Sequence, residues 1–204
     1  FYGLQATGNA SSSKEGKISL TTPTVEIHAT GTGIYANNWG SVVVGNTDTK
    51  NVSISGASQG VKLSKGGYAE ITGEQVKISN EKKGILIGVD NAYNGANRLA
   101  QLIVKGKQIE LVSAGQVIDA KSKYSASQSY PKASVVLGDD STESLTMTGS
   151  SGVYAGQNSE IIGKAKDIHL VVRSDAKTEG VRATVKESTV QLTAKNNLRI
   201  DVTG

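Results

Sequence analysis

Cysteine is absent from this chain of 204 residues, and proline (2), phenylalanine (1), tryptophan (1) and methionine (1) are scarce. Without cysteine, the chain has neither a disulfide framework nor a thiolate metal site. No apolar run reaches the length of about 18 residues that a transmembrane helix needs. Leucine (12) is outnumbered by valine (20), isoleucine (15) and threonine (17), a balance that favours strand over helix. The composition therefore predicts extended β structure with a thin core.

A glycine followed by an aliphatic residue recurs along the whole chain at spacings of 24 to 37 residues. Recurrence at such a period is typical of repeat architectures. The copies are Gly3-Leu4-Gln5-Ala6, Gly33-Ile34-Tyr35-Ala36, Gly60-Val61-Lys62-Leu63, Gly84-Ile85-Leu86-Ile87, a degenerate Gly115-Gln116-Val117-Ile118, Gly152-Val153-Tyr154-Ala155 and Gly180-Val181-Arg182-Ala183.

Two further stretches follow each copy, and in them apolar residues alternate with outward positions. The first gives the pairs Ile18/Leu20, Val42/Val44, Ala69/Ile71, Leu102/Val104, Val135/Leu137 and Val190/Leu192, with a weaker sixth copy at Ile161 and Ile162. The second gives Val25/Ile27, Val52/Ile54, Val76/Ile78, Ile109/Leu111, Leu145/Met147, Ile168/Leu170 and Leu198/Ile200. A period of two residues indicates strands.

Three short strands per repeat, with glycine, asparagine, aspartate and serine at the corners, predict a solenoid whose coils bury their apolar faces by stacking. We expect an all-β, right-handed parallel β-helix of about seven coils with three short strands each. The prediction treats residues 1–204 as a single segment with long loops at 88–98 and 119–133. A narrow interior of this kind accounts for the scarcity of aromatic residues.

The strand motifs resemble those of parallel β-helix passengers of bacterial autotransporters and of two-partner-secreted, filamentous-haemagglutinin-like adhesins. The resemblance rests on the repeated glycine–aliphatic starts, on Ser-Val-Val-Val-Gly-Asn (41–46), on Ala-Ser-Val-Val-Leu-Gly-Asp (133–139) and on Asn-Val-Ser-Ile-Ser-Gly (51–56). It implies a secreted or cell-surface protein that passes an outer-membrane pore and serves in adhesion, biofilm formation or virulence. We expect the chain to be a stretch of a longer passenger, held at the outer membrane through a translocator outside this sequence.

Signals of catalysis are weak. The match of residues 56–60 to Gly-x-Ser-x-Gly lacks the strand-to-helix turn that a nucleophile elbow requires, and a turn is predicted there. His28 and His169 fall on third strands five coils apart, which is roughly 24 Å, so they cannot share a metal ion.

Two acidic segments, 46–48 and 139–140, are similar to the acidic motifs of polygalacturonases, which also use a parallel β-helix. They lie three coils apart, about 14 Å, whereas glycoside hydrolysis needs carboxyl groups about 5 to 9.5 Å apart. Turn-forming acids are the better interpretation. We predict no enzyme, no metal site and no cofactor.

The best candidate for a binding surface is the corner between first and second strands, where coils four and five carry consecutive insertions. Tyrosine rings give contact area and asparagine and lysine give hydrogen bonds, a composition suited to recognition. The candidate binding residues are Asn91, Tyr93, Asn94, Arg98, Lys121, Lys123, Tyr124 and Tyr130. The alternative is a surface protrusion that binds nothing.

A second candidate surface is the outer face of the first strands, where Tyr35, Leu86 and Tyr154, with Val117, predict a partly apolar face for self-association. Charge adds a third signal, because residues 62–132 hold eleven Lys plus Arg against six acids. A positive belt would attract acidic glycans or other polyanions. Solvated lysines that keep the rod soluble are the competing interpretation, and no specific nucleic-acid reader is indicated.

These observations favour a non-enzymatic surface rod that attaches to a host surface, matrix protein, glycan or other copies of itself. The first alternative is a polysaccharide-degrading β-helix enzyme or a segment of a phage tailspike. The second is a structural module whose rods associate side by side.

Overall fold

The structure, a computed structural model, describes residues 1–9, 14–88, 99–122, 132–174, 179–184 and 187–203. The regular structure of these residues consists of strands. In chain order they are β1 (Tyr2–Thr7), β2 (Lys17–Leu20), β3 (Thr24–Ala29), β4 (Thr32–Asn37), β5 (Ser41–Val44), β6 (Asn51–Gly56), β7 (Gln59–Ser64), β8 (Tyr68–Thr72), β9 (Gln75–Asn80), β10 (Lys83–Gly88), β11 (Ala100–Lys105), β12 (Gln108–Ser113), β13 (Gln116–Lys121), β14 (Ala133–Leu137), β15 (Ser144–Gly149), β16 (Ser151–Ala155), β17 (Ser159–Arg173), β18 (Val181–Ala183) and β19 (Thr189–Thr203).

The strands wind into a parallel β-helix, as predicted. The first strands of successive coils form a 7-stranded sheet in the order β1-β4-β7-β10-β13-β16-β18, which we call the first sheet. The second and third strands form a 12-stranded sheet, because β17 is long enough to pair with both β14 and β15. Every one of these strand pairs is parallel. The described strands thus build seven stacked coils.

The core consists of rows of aliphatic side chains, one from each coil, in register along the rod. The alternating pairs predicted for the second and third strands are confirmed as these inward rows. One row of the third strands contains Val25, Val52, Val76, Ile109, Leu145, Ile168 and Leu198, and the next contains Ile27, Ile54, Ile78, Leu111, Met147, Leu170 and Ile200. Stacking like on like excludes large rings from the narrow interior.

The corner between second and third strands takes three forms in coils two to seven. In coils two and five it begins with a left-handed glycine, Gly45 (φ 75°) or Gly138 (φ 73°), a conformation that glycine adopts without steric cost. In coils three and four it is shorter and contains Gly73 or Gly106. In coils six and seven the corner is absent, and β17 and β19 each run through it as one strand.

The prediction of three separate strands therefore fails in these last two coils. The segment Lys164-Ala165-Lys166 has no glycine, asparagine or aspartate to turn the chain, and a register irregularity between Ala165 and Asp167 absorbs the bend. The weak sixth copy is also explained: Ile161 points inward, Ile162 points outward, and the second inward place belongs to Gly163.

The two ends of the rod are uncovered. Leu198, Ile200 and Val202 of β19 are 49%, 44% and 46% exposed, although each occupies an inward position. We call them, with Val181, the C-terminal face. At the other end Leu4, Ile18 and Leu20 are only partly buried, and with the free edges of β1, β2 and β3 they form the N-terminal face.

Candidate functional site

The corner between first and second strands differs between coils, and this difference locates the candidate site. Coils two, three, six and seven cross this corner in a few residues, using the left-handed backbone positions Asn38, Trp39, Lys65, Gly66, Asn158 and Glu187. Coils four and five carry the insertions instead. Gly88 pairs with Lys121 where the insertions leave, and Ala100 pairs with Ala133 where they return. Both insertions therefore emerge from one corner, side by side at the strand spacing of about 4.8 Å.

Most of the predicted binding residues lie outside the described residues: Asn91, Tyr93, Asn94, Arg98, Lys123, Tyr124 and Tyr130. Lys121 is described and ends β13 with an exposed side chain. Its Nζ lies 3.9 Å from Oδ2 of Asp119. The stems of the predicted site are thus adjacent, and one of its cations is held beside a carboxylate.

Asp119 is a buried carboxylate on the outer side of the first sheet, next to the insertion stems. Its side chain is 5% exposed, and its Oδ2 accepts a hydrogen bond of 2.6 Å from Nζ of Lys83. Its Oδ1 is buried with no hydrogen-bond donor among the described residues. Because a buried acceptor without a donor is costly, a hydroxyl or amide group that reached this oxygen would stabilise it.

Asp119 was not among the predicted site residues, because the sequence pattern misaligns coil five. The pattern places Gly115 in the glycine position and makes Val117 an outward residue. The structure pairs Ile118 with Ile85 and Asp119 with Leu86, so Val117 occupies the glycine row and is fully buried. The prediction that Val117 belongs to an apolar outer face was therefore wrong. Taking residues 117–120, Val-Ile-Asp-Ala, as the fifth copy would have placed Asp119 outward by parity.

The two outward tyrosines of the first sheet lie in separate environments. Tyr35 stacks on Tyr2 with ring centroids 4.8 Å apart, and Nζ of Lys62 lies 5.5 Å above its ring. Tyr154 contacts Arg182 and bonds Thr184 through its hydroxyl at 3.0 Å.

In the outer row of the first sheet, Lys62, Leu86 and Asp119 separate the tyrosines. Tyr35, Leu86 and Tyr154 therefore share a face but do not form one apolar patch, since charged residues alternate with them. Self-association through this face stays a prediction.

Beside Asp119 the first sheet carries a shallow depression of about 390 Å³, lined by Gln116, Tyr154, Glu179 and Arg182 among others. Cζ of Arg182 lies 5.7 Å from the Tyr154 ring centroid. This lining can contact a ligand rich in hydroxyl or amide groups through the Tyr154 ring, the Arg182 guanidinium and the polar side chains of Gln116 and Glu179. This depression extends the candidate surface from the insertion stems across coils five to seven.

The third strands carry a second, polar depression of about 410 Å³ on their outer side, in coils two to five. Its lining includes Asn51, Gln75 and Gln108, which are in register, and the ion pair of Lys77 with Glu110 at 2.8 Å. Its lining contains no aromatic side chain among the described residues. This surface lies on the third strands, whereas the insertions leave the rod at the corner between first and second strands.

The two histidines lie on third strands and point outward, as predicted. Nδ1 of His28 lies 2.7 Å from Oγ of Ser55, and Nε2 of His169 lies 2.9 Å from Oδ2 of Asp201. Within the described part of the chain, no group of three potential ligands is placed to hold a metal ion.

The acidic corner segments are turns, which confirms the prediction. Asn46 Oδ1 accepts from the Asp48 N–H at 2.9 Å, and Asp139 Oδ1 accepts from the Ser141 N–H at 2.8 Å. The hydroxyl of Ser141, with its N–H, holds the pKa of Asp139 below its ordinary value. Each corner is closed by a buried threonine, since Thr49 and Thr142 donate to carbonyls of the preceding coil.

The lysines of the middle coils are largely paired with carboxylates. Lys50 and Lys107 contact Glu74 at 3.1 and 2.8 Å, and Lys107 is the main reason that the pKa of Glu74 lies below its ordinary value. Lys105 contacts Glu70 at 2.8 Å. Within residues 62–132, five described lysines thus lie beside carboxylates. Four others have no ion pair among the described residues, so the belt keeps an excess of positive charge: Lys62, Lys65, Lys82 and Lys132.

No described residues form a helix that is long and apolar enough to cross a membrane. The comparisons identify no relative for this architecture: no protein-family model, curated protein or solved structure matches the chain.

Proposed function

We propose that this chain is a stretch of a non-enzymatic bacterial surface adhesin, whose β-helix is a stiff support for two neighbouring insertions. The observation that carries the proposal is the pairing of the stems, Gly88 with Lys121 and Ala100 with Ala133. Because the stems are paired, we expect the two insertions to reach a single ligand together. Loops held by a regular scaffold are where binding residues concentrate.

The ligand that best suits this corner is a surface glycan or a polar protein segment. The insertions supply tyrosine, asparagine and lysine, and Asp119 adds an acceptor without a donor among the described residues. An extracellular location at the bacterial surface is supported by the absence of cysteine and by the resemblance to secreted β-helix passengers. Adhesion and biofilm roles follow from the same resemblance.

A general affinity for polyanions is the less favoured alternative, because five lysines of the middle coils lie beside carboxylates. Binding driven by charge alone would fall steeply as salt rises. We expect the binding of this chain to change less than about tenfold between 50 and 200 mM salt, since only a few unpaired cations remain at the corner.

The test removes the insertions while preserving the coils. Residues 89–99 are replaced by Lys-Gly, the crossing that coil three uses between Ser64 and Gly67 in equivalent register. Residues 121–132 are replaced by Gly-Gln-Asn, the crossing of coil six between Ala155 and Ser159. Parent and variant are screened on glycan, matrix-protein and DNA arrays.

We expect the variant without the two insertions to lose binding, while its circular dichroism and thermal midpoint stay close to those of the parent. Replacing Tyr93, Tyr124 and Tyr130 by Ala should reproduce the loss with the insertions kept. The matched control replaces Tyr2 and Tyr35, which stack on each other in coils one and two, by Ala and should bind normally. Full binding by the variant without the two insertions would refute the proposal.

A further inference from the structure

The turn at the corner of coil two holds a bulky residue where glycine is the usual choice. Asn38 and Trp39 both have a left-handed backbone, with φ of 48° and 68°, and the N–H of Gly40 donates to the Asn37 carbonyl at 2.8 Å. These are features of a type I′ turn, in which glycine is preferred at the second left-handed place. Here that place holds the only tryptophan of the chain.

The neighbouring coil makes the same turn without this strain. Coil three crosses the corner with the same number of residues in the same register, so Lys65 and Gly66 take the places of Asn38 and Trp39. Their φ values are 48° and 73°. Glycine adopts this conformation without steric cost, whereas a bulky side chain is strained there. The fold therefore does not require tryptophan at this turn.

Asn38 adds a second unfavourable feature to the turn of coil two. Its Oδ1 is buried and has no hydrogen-bond partner among the described residues. A buried acceptor without a donor destabilises the folded state. Strained backbone clusters at binding and catalytic sites, so the two adjacent costs indicate that the side chain of Trp39 has a role other than closing the turn.

Trp39 lies at the corner that carries the insertions. It belongs to the crossing between β4 and β5, two coils before Gly88, where the first insertion leaves, and this separation is about 10 Å at the strand spacing. The turn is fixed to coil three, because the N–H of Trp39 donates to the Lys65 carbonyl at 3.2 Å. Trp39 is partly exposed, and its neighbour in the row toward the insertions is Gly66, which has no side chain.

The chemistry of this turn suits a sugar ring. The C–H groups on one face of a pyranose pack on a flat aromatic ring, and the hydroxyl groups at its edge need hydrogen-bond partners. Lys65 has no ion pair among the described residues, so its ammonium group is available to donate to such hydroxyls. An indole and a lysine on neighbouring turns thus provide both kinds of contact.

We propose that Trp39 is a sugar-stacking residue and that the ligand of this corner is a glycan, which packs one ring on the indole in coil two and extends toward the insertion stems. The inference rests on the proposed function, since it names the ligand class for the same corner. A short oligosaccharide is long enough to span the two coils between Trp39 and Gly88.

The single tryptophan provides a direct measurement. The glycan that the parent binds best on the array is titrated in free form, and the emission of Trp39 should shift as the site fills. Trp39→Gly and Trp39→Ala both remove the ring, and each should weaken glycan binding at least about tenfold, as expected for an aromatic anchor. Trp39→Tyr keeps an aromatic ring and should lose less.

The two truncations also separate strain from binding. Only glycine relieves the left-handed backbone, so the thermal midpoint of Trp39→Gly should lie about 2–4 °C above that of Trp39→Ala, although both bind weakly. The matched control is Tyr35→Ala, because Tyr35 belongs to the same coil but lies on the first sheet. This variant should bind the glycan like the parent.

Glycan binding by Trp39→Gly at the affinity of the parent would overturn the inference. So would unchanged Trp39 emission at saturating glycan, or a parent that binds proteins and no glycan. A midpoint of Trp39→Gly below that of Trp39→Ala would contradict the strain on which the inference depends. If the variant without the two insertions binds fully while Trp39→Gly does not, the proposed function fails and the role of Trp39 stands.

Discussion

Ile78 and Ile200 are the same residue type in the same inward row, yet Ile78 is fully buried and Ile200 is 44% exposed. Strand β9 has neighbours on both sides, β6 and β12, whereas β19 has only β17 among the described strands. The middle and last coils therefore differ in their neighbours and not in their strand pattern. In a solenoid, burial is supplied by the adjacent repeats, so position along the rod decides what each side chain contributes to stability.

The largest expected effect comes from truncating this matched pair. Ile78→Ala should lower the free energy of unfolding by about 2–5 kcal/mol, because it removes buried methyl groups and leaves a cavity between two coils. Ile200→Ala should cost less than about 1 kcal/mol, since much of that side chain already contacts water.

Urea unfolding at a concentration where the chain is monomeric measures both values. Equal losses would contradict the comparison and would show that Ile200 is covered in solution.

The next prediction compares coil two, which turns at Gly45, with coil six, in which β17 runs through the corner as one strand. A Cβ at Gly45 would collide with the carbonyl oxygen of Thr72, and the backbone there has a φ of 75°. Gly45→Ala should therefore cost about 1–3 kcal/mol. A Cβ at Gly163 would lie 2.8 Å from Cδ2 of Leu192 and 3.1 Å from Cδ2 of Leu145, the ends of flexible side chains.

Gly163→Ala should change stability by less than about 1 kcal/mol, because these side chains can move aside and alanine restricts the unfolded chain. Thermal unfolding of the two variants provides the measurement. A larger loss of stability for Gly163→Ala than for Gly45→Ala would mean that coil six is packed more rigidly than coil two.

The smallest effect concerns acid stability. The hydrogen bond from Lys105, and then that from Tyr68, holds the pKa of Glu70 below its ordinary value of 4.5. A lowered carboxylate pKa contributes stability above the unfolded pKa, and this contribution is lost as pH falls through the folded pKa. Stability should therefore begin to fall near pH 4.5, and Glu70→Gln should lose less than the parent over the same interval.

Asp201 provides the matching case in coil seven. The hydrogen bond with Arg199, and then that with His169, holds the pKa of Asp201 below its ordinary value. Asp201→Asn should change acid-induced amide exchange in β19 while leaving the exchange of β9 unchanged, since end coils open locally. Matching changes in both strands would show that the rod responds to acid as one cooperative unit.

Much of the fold follows from side-chain alternation. Pairs such as Val52/Ile54 and Leu102/Val104 predict inward rows because parity leaves them only one buried side, and the structure confirms them. The register of coil five was predicted wrongly, because Val117 takes a position that glycine fills in each of the other coils. The continuous strands β17 and β19 were not predicted either, because a register irregularity replaces the corner: residues 165–167 of β17 face residues 194–197 of β19.

The candidate site was predicted only in part. Consecutive insertions at one corner follow from loop length, and the paired stems confirm their adjacency. Asp119 was missed because Gly115 was taken as the start of the fifth copy, two residues before Val117, which occupies the glycine row. The partial pairing of the positive belt likewise depends on which lysine stacks on which acid, as in the ladder of Lys50, Glu74 and Lys107.

The hydrogen bonds that join the coils run along the rod axis, and this direction decides how the protein responds to force. A pull on the last residues would load the β17–β19 ladder from one end, so coil seven would peel away before coil six. The insertion-bearing coils four and five would stay folded until both had yielded. For a pull at that end, coils six and seven would therefore unfold before the corner that carries the insertions.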